Sequence, residues 1–122
     1  MRFDGAMLFV KDLGRMTAFY RDVIGLRPVE ATRLVDWVAF EAEGAGFSLH
    51  AIAPHIAEGV EIASPPVPRE TGACKLSFAL DDLDAALARL SDQGLTLLLR
   101  PWGATEAVDP EGNVIGLRQA GG

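Results

Sequence analysis

Asp12-Leu13-Gly14-Arg15-Met16-Thr17-Ala18 recurs seventy residues later as Asp82-Leu83-Asp84-Ala85-Ala86-Leu87-Ala88. Further along, Asp22 meets Asp92, and after a one-residue gap Gly25-Leu26 meets Gly94-Leu95. Upstream, Met7-Leu8-Phe9-Val10 aligns at the same offset with Ser77-Phe78-Ala79-Leu80. Each half therefore opens with a strand, then an Asp, a helix and a Gly, and the recurrence of this punctuation in order marks an internal repeat. In both copies the Asp is placed to cap free helical N–H groups. Leu13, Met16, Tyr20, Val23 and Ile24 form one apolar stripe at helical spacing, and Leu83, Ala86, Leu87 and Leu90 form the other. Gly25 and Gly94 supply left-handed stops.

Strand patterns follow each helix. Arg27–Thr32, Val35–Glu41 and Phe47–Ala53 read as strands in the first half, with Gly44-Ala45-Gly46 as a turn. Thr96–Arg100, Ala104–Val108 and Val114–Gln119 read likewise in the second. Asp109-Pro110-Glu111-Gly112-Asn113 is a turn, since Pro presets one dihedral and Gly and Asn tolerate the left-handed one. The stretch 54–72, with Pro54, Pro65, Pro66 and Pro68, is too rich in proline for regular structure and reads as a linker. The expected fold is α+β: a βαβββ module over residues 1–53, the linker, and a second βαβββ module over 73–122. Together they form one compact domain, a cupped mixed sheet with the helices on its outer face.

The chain has 122 residues, 49% of them apolar and 23% charged, the composition of a globular protein rather than a disordered one. Its longest apolar runs fall far short of the roughly 20 residues of a membrane span, and the opening Met1-Arg2-Phe3-Asp4 lacks the plan of a signal peptide. The net charge of −6 disfavours a nucleic-acid partner, because no basic patch is available to displace phosphate counterions. The single cysteine, Cys74, has no internal partner, which fits a reducing, cytoplasmic setting. Nucleophile elbows, phosphate loops, dinucleotide fingerprints, H-E-x-x-H and paired-Cys metal patterns are all absent.

Side chains alternate along strands, so parity sorts the faces. Leu76, Phe78 and Leu80 share one face, opposite Lys75, Ser77 and Ala79. Leu49 and Ala51 lie opposite Ser48, His50 and Ile52. Ile115 and Leu117 lie opposite Val114, Gly116 and Arg118. The apolar faces are expected to pack on the helices. The mixed faces could simply meet solvent, but a repeat whose two half-sheets can close on each other favours a groove or cup that encloses them. In the first strand both faces are apolar, Leu8 and Val10 against Met7 and Phe9, so burial on both sides is expected. The parity of Trp37 is uncertain by one residue, which would flip its face.

Val10-Lys11-Asp12-Leu13 together with Ala18-Phe19-Tyr20-Arg21-Asp22-Val23-Ile24-Gly25-Leu26 resembles the opening of the vicinal oxygen chelate superfamily, the glyoxalase, bleomycin-resistance and extradiol-dioxygenase group. Asp109-Pro110-Glu111-Gly112-Asn113-Val114-Ile115 resembles that family's closing hairpin. The resemblance implies paired βαβββ modules and a site inside a cupped sheet. Pairing of modules within or across chains, and the exposed sheet edges, point to a homodimer. It also implies four metal-ligand positions, usually His, Glu or Gln, which fall here on Gly5, His50, Lys75 and Gly116. Only His50 of these can coordinate, whereas a divalent metal needs three or four donors at once. The family's metal is therefore not expected at its usual position, and no cofactor is expected. A rearranged site using His50 with Glu41, Glu43 or Glu106 is the residual alternative.

The candidate ligand-binding residues are Met7, Phe9, Trp37, His50, Lys75, Trp102 and Arg118. Lys75 would pair with a ligand carboxylate or a neighbouring Glu, and the planar fork of Arg118 suits an anion. Trp37 and Trp102 would stack on a flat molecule. Each also has a plainer structural role available, and His55, in the linker, is expected to be exposed. Two functions follow. One is metal-free binding of a small organic molecule, as in drug or toxin sequestration. The other is a glyoxalase-like lyase, isomerase or dioxygenase with a displaced metal or with acid–base chemistry through His50 or Lys75. A third reading, a scaffold without a ligand, would fill the cup with side chains such as Met7, Phe9 and Trp37.

Overall fold

A computed structural model describes residues 1–121, and the chain divides into two compact units between Glu61 and Ile62. The first contains β1 (Gly5–Val10), α1 (Leu13–Ala18), β2 (Trp37–Phe40), β3 (Gly46–Ala51) and a short α2 (Pro54–Ala57). Its sheet runs β1-β3-β2, with β1 parallel and β2 antiparallel to β3. The second contains β4 (Ser77–Leu80), α3 (Leu83–Asp92), β5 (Leu97–Leu99), β6 (Thr105–Val108) and β7 (Val114–Gln119). Its sheet runs β4-β7-β6-β5, with β4 parallel to β7 and the other pairs antiparallel. The repeat is thus one topology used twice: an opening strand, a crossover helix, and a last strand inserted beside the first.

The helix signals act as read. Asp12 accepts the Arg15 N–H at 3.0 Å and Asp82 accepts the Ala85 N–H at 3.0 Å. Gly25 and Gly94 both take positive φ, at 95° and 83°. Beyond Ala18 the first helix widens into a π-helical stretch, Phe19–Ile24, in which the Gly25 N–H reaches back five residues to the Tyr20 carbonyl. That widening turns Phe19, Tyr20 and Ile24 inward together. The Tyr20 ring meets Phe47 edge-on at 5.0 Å between centroids, and Phe40 stacks on Phe47 at 5.6 Å. In the second unit α3 packs on β4 and β7, and Leu90, Ile115 and Leu117 are buried. In each unit, then, the helix covers one face of its own sheet.

Three expectations need correction. Arg27–Thr32 is not a strand: Pro28 makes a single bridge to Phe40, and Glu30–Thr32 form a 3-10 turn. Proline lacks the N–H a ladder requires, which explains why pairing stops there. The proline-rich stretch 54–72 is not wholly irregular, because Pro54 opens α2 at the one helical position where its missing N–H costs nothing. Finally, β1 is covered on one side only within its own unit, where Met7 and Phe9 are exposed while Val10 is buried.

Candidate functional site

Register decides which side chains share the face away from the helix. In the first unit Phe9 lies opposite His50, and His50 opposite Trp37, so Met7, Phe9, His50 and Trp37 all share that face. The parity of Trp37, open by one residue in the sequence, is thereby fixed. The Phe9 and His50 rings stand 5.5 Å apart, and Phe9 is 63% exposed. His50 Nδ1 is 2.7 Å from the Ala51 carbonyl oxygen, which can only accept, so Nδ1 carries the proton. Nε2 lies 3.9 Å from Asp36.

The second unit carries charge on the corresponding face. Glu106, only 3% exposed, lies opposite Gly116, which lies opposite Ser77. Lys75 Nζ donates to Glu106 Oε2 at 2.5 Å, and Arg100 Nε donates to Glu106 Oε1 at 2.5 Å. Both carboxylate oxygens are thus taken by cations. Burial alone pushes the Glu106 carboxyl upward, but the hydrogen bonds and charges of Lys75 and Arg100 outweigh it and hold the group below its ordinary value. Arg100 also donates through Nη2 to Glu70 at 2.5 Å, and its guanidinium carbon sits 5.8 Å from the centre of the Trp102 ring. Around this network lies a cavity of about 350 Å³, lined in part by Arg69, Glu70, Cys74, Lys75, Arg100 and Trp102.

One wall of the cavity is held by the loop that closes the β6–β7 hairpin. Buried Asp109 accepts the backbone N–H groups of Glu111 and Asn113, at 2.9 and 3.0 Å, and the Asn113 amide at 2.8 Å. Gly112 takes φ 89°, and a Cβ there would sit 2.6 Å from the Val67 carbonyl oxygen, so the loop can press against residues 67–69 only with glycine. Arg69 is then fastened by its own N–H to the Gly112 carbonyl and by Nε to that of Glu111.

Of the residues singled out in the sequence, Lys75 and Trp102 border this cavity, and Lys75 pairs with a neighbouring Glu, Glu106. Arg118 is exposed and borders a second hollow of about 270 Å³. Met7, Phe9, Trp37 and His50 belong to the first unit and His55 is exposed on α2. Arg100 and Glu70 were missed. An Arg six residues before a Glu across a short hairpin is the one local signal that points to Arg100: Glu106 pairs directly with Leu98, and Arg100, two positions further on, is its diagonal neighbour on the same face.

The four metal-ligand positions do not form a donor set. At Gly5 a side chain would begin 2.7 Å from the Gly46 carbonyl oxygen, against backbone that cannot yield. At Gly116 a Cβ would sit 2.6 Å from the Ser77 hydroxyl, which would have to turn away. Lys75 offers a cation already bound to Glu106. Among the described residues no group of three or more His, Cys, Asp or Glu side chains is gathered to hold a metal ion. Nor, among them, is any helix long and apolar enough to cross a membrane.

Residues 2–117 match the family model described as Glyoxalase/Bleomycin resistance protein/Dioxygenase superfamily. A protein of unknown function from Agrobacterium tumefaciens str. C58 is similar at 28% identity and a TM-score of 0.68, over 98% of this chain and 94% of that one. Lactoylglutathione lyase from Agrobacterium tumefaciens is similar at 25% identity and a TM-score of 0.68, over 98% and 93%. TnmS3, an antibiotic binding protein from Streptomyces sp. CB03234, is similar at 27% identity and a TM-score of 0.63, over 98% and 95%. None of the curated proteins matches the chain.

Proposed function

The chain belongs to the glyoxalase/bleomycin resistance protein/dioxygenase superfamily, and from that premise we propose that it is a binding member, holding a small organic molecule without a protein-bound metal and so sequestering a drug or toxin. The observation that carries the reading is the state of Glu106. This buried carboxylate is bound at both oxygens by Lys75 and Arg100, at 2.5 Å each, so a divalent cation on it would stand against two cations that already neutralise its charge. With two glycines and a lysine at three of the four ligand positions, chelation has no chemical basis there, while a cavity with polar walls remains. The likeness to an antibiotic binding protein supports the same direction. Exposed Met7 and Phe9 on the open face of the first sheet support a homodimer, for which light scattering at micromolar concentration is the test.

The decisive experiment is metal content after purification without chelator, paired with a thermal-shift screen of antibiotics, thiol conjugates and metals. Far less than one metal per chain, with an organic compound raising the melting temperature, is expected. Stoichiometric zinc, nickel, manganese or iron would overturn the proposal. A second reading, acid–base catalysis, is favoured by one observation. The protonated Nδ1 of His50 leaves Nε2 as the basic nitrogen, on an open face and near Asp36. Turnover of a hemithioacetal that is lost in His50→Gln would establish it in place of the first.

A further inference from the structure

We propose that the cavity beside Arg100 takes a planar organic anion, and that the Glu70 carboxylate stands where the anionic group of that ligand would bind. This deepens the binding reading above and rests on it.

The two carboxylates on Arg100 are not equivalent. Glu106 is 3% exposed, lies on β6 between β5 and β7, and is shared with Lys75. Glu70 has a side chain 54% exposed and sits on the Arg69–Gly72 turn, closed by the Gly72 N–H on the Arg69 carbonyl. An ion pair with one partner this open to water is weak, so an incoming carboxylate would displace Glu70 at little cost. The guanidinium would stay in place, anchored from behind by Glu106. Its planar fork matches a carboxylate, a sulfonate or a phosphate far better than it matches a neutral group.

Charge points the same way. Arg69, Lys75 and Arg100 line the cavity with Glu70, and Glu106 backs it. Once Glu70 turns away, three cations face one carboxylate, in a chain whose net charge is −6. An organic cation would meet that excess as repulsion. Planarity follows from Trp102, which is 70% exposed at the cavity wall with Arg100 near its ring face. An uncovered indole beside a guanidinium is a surface on which an aromatic ring stacks. The volume of about 350 Å³ lies at the small end of the range of ligand pockets.

The test uses three probes of one shape and different charge: 1-naphthoate, 1-naphthylmethylamine and 1-naphthalenemethanol, titrated calorimetrically into the full chain. Cys74, the sole cysteine, is exposed and lines the cavity, so its rate of alkylation by iodoacetamide reports occupancy of this cavity. Saturable binding of naphthoate that slows Cys74 alkylation is expected. Glu70→Gln should bind naphthoate about threefold tighter, because the weak internal competitor loses its charge, and Arg100→Lys about tenfold weaker, because the fork is lost. Glu70 lies on an exposed turn, so its variant keeps the test valid if Arg100→Lys fails to fold. Naphthoate affinity unchanged or weakened in Glu70→Gln overturns the proposal. Equal or tighter binding of the amine or the alcohol overturns the anion assignment while leaving small-molecule binding intact. No binding of any probe overturns it as well, and the antibiotic screen then decides the broader reading alone.

Discussion

Ala39 in the first sheet and Glu106 in the second hold the same place. Ala39 lies opposite Ser48 and through it Met7, while Glu106 lies opposite Gly116 and through it Ser77, the repeat counterpart of Met7. Around Ala39 the open face carries Met7, Phe9, Trp37 and His50; around Glu106 it carries Lys75, Arg100 and Glu70. Behind both, the helix-covered face is alike: Leu49 and Leu117 are equivalent and both buried. A duplicated frame needs only one face of each sheet for its stability. The other face is then free to diverge, and here one half has become apolar and aromatic and the other charged.

The shared face can be broken symmetrically. Leu49→Ala and Leu117→Ala should each destabilise by about 3 kcal/mol, the usual cost of emptying a buried leucine site, measured by urea denaturation. A loss below about 1 kcal/mol in either half would show that the two cores are not built alike.

The open face should respond asymmetrically. Glu106→Gln leaves Lys75 without its anion and Arg100 with Glu70 alone. Removing one partner of a fully buried pair costs about 3–5 kcal/mol, but Lys75 is 47% exposed and can rehydrate. A loss of about 2 kcal/mol is therefore expected at pH 7. Because folding holds the Glu106 carboxyl below its ordinary value, this stabilisation is fully present above the unfolded value of about 4.3 and is lost as pH falls through the folded one. The gap between wild type and Glu106→Gln should then narrow below about pH 4. A gap that stays constant down to pH 3 would mean that the carboxylate's charge contributes nothing. Ala39→Ser, at the equivalent place, should change stability by less than about 0.5 kcal/mol at any pH.

The helix caps return to symmetry at a smaller scale. Asp12→Ala and Asp82→Ala each remove one acceptor from an N-terminal N–H and should cost about 1 kcal/mol. Thermal unfolding of the two variants, which should fall together, checks whether the repeat extends to its punctuation.

Much of this was legible because it is local. A cap, an apolar stripe, a left-handed glycine and strand parity each depend on residues within a few positions of one another, and all were read correctly around Asp12, Gly25, Asp82 and Gly94. The strand expected at Arg27–Thr32 failed at Pro28, where alternation alone outweighed the missing N–H. The two-sided burial of β1 failed because an apolar face shows what a residue tolerates, not what covers it. Arg100–Glu70 could not be read at all: the residues are 30 apart, and a pairing across a loop leaves no trace in spacing. Within the site, the donor-poor positions Gly5, Lys75 and Gly116 were legible through the family resemblance, whereas the network that binds Lys75 required the register of β6 against β7.

Thr17 gives the finest distinction between the halves. It is buried to 1% exposure, and among the described residues its hydroxyl is the buried side-chain oxygen left with no partner. The repeat places Leu87, an apolar residue, at the same point of the second helix. A buried hydroxyl without a hydrogen bond carries its full desolvation cost, and valine has the same shape without that cost. Thr17→Val should therefore leave the helix unchanged and stabilise the protein by about 0.5–1 kcal/mol, with valine's stiffness in a helix working slightly against the gain. The measurement is the urea midpoint at constant slope. A destabilised variant would mean that the hydroxyl does find a partner, and that at this position the first half solved its packing by polarity where the second used a leucine.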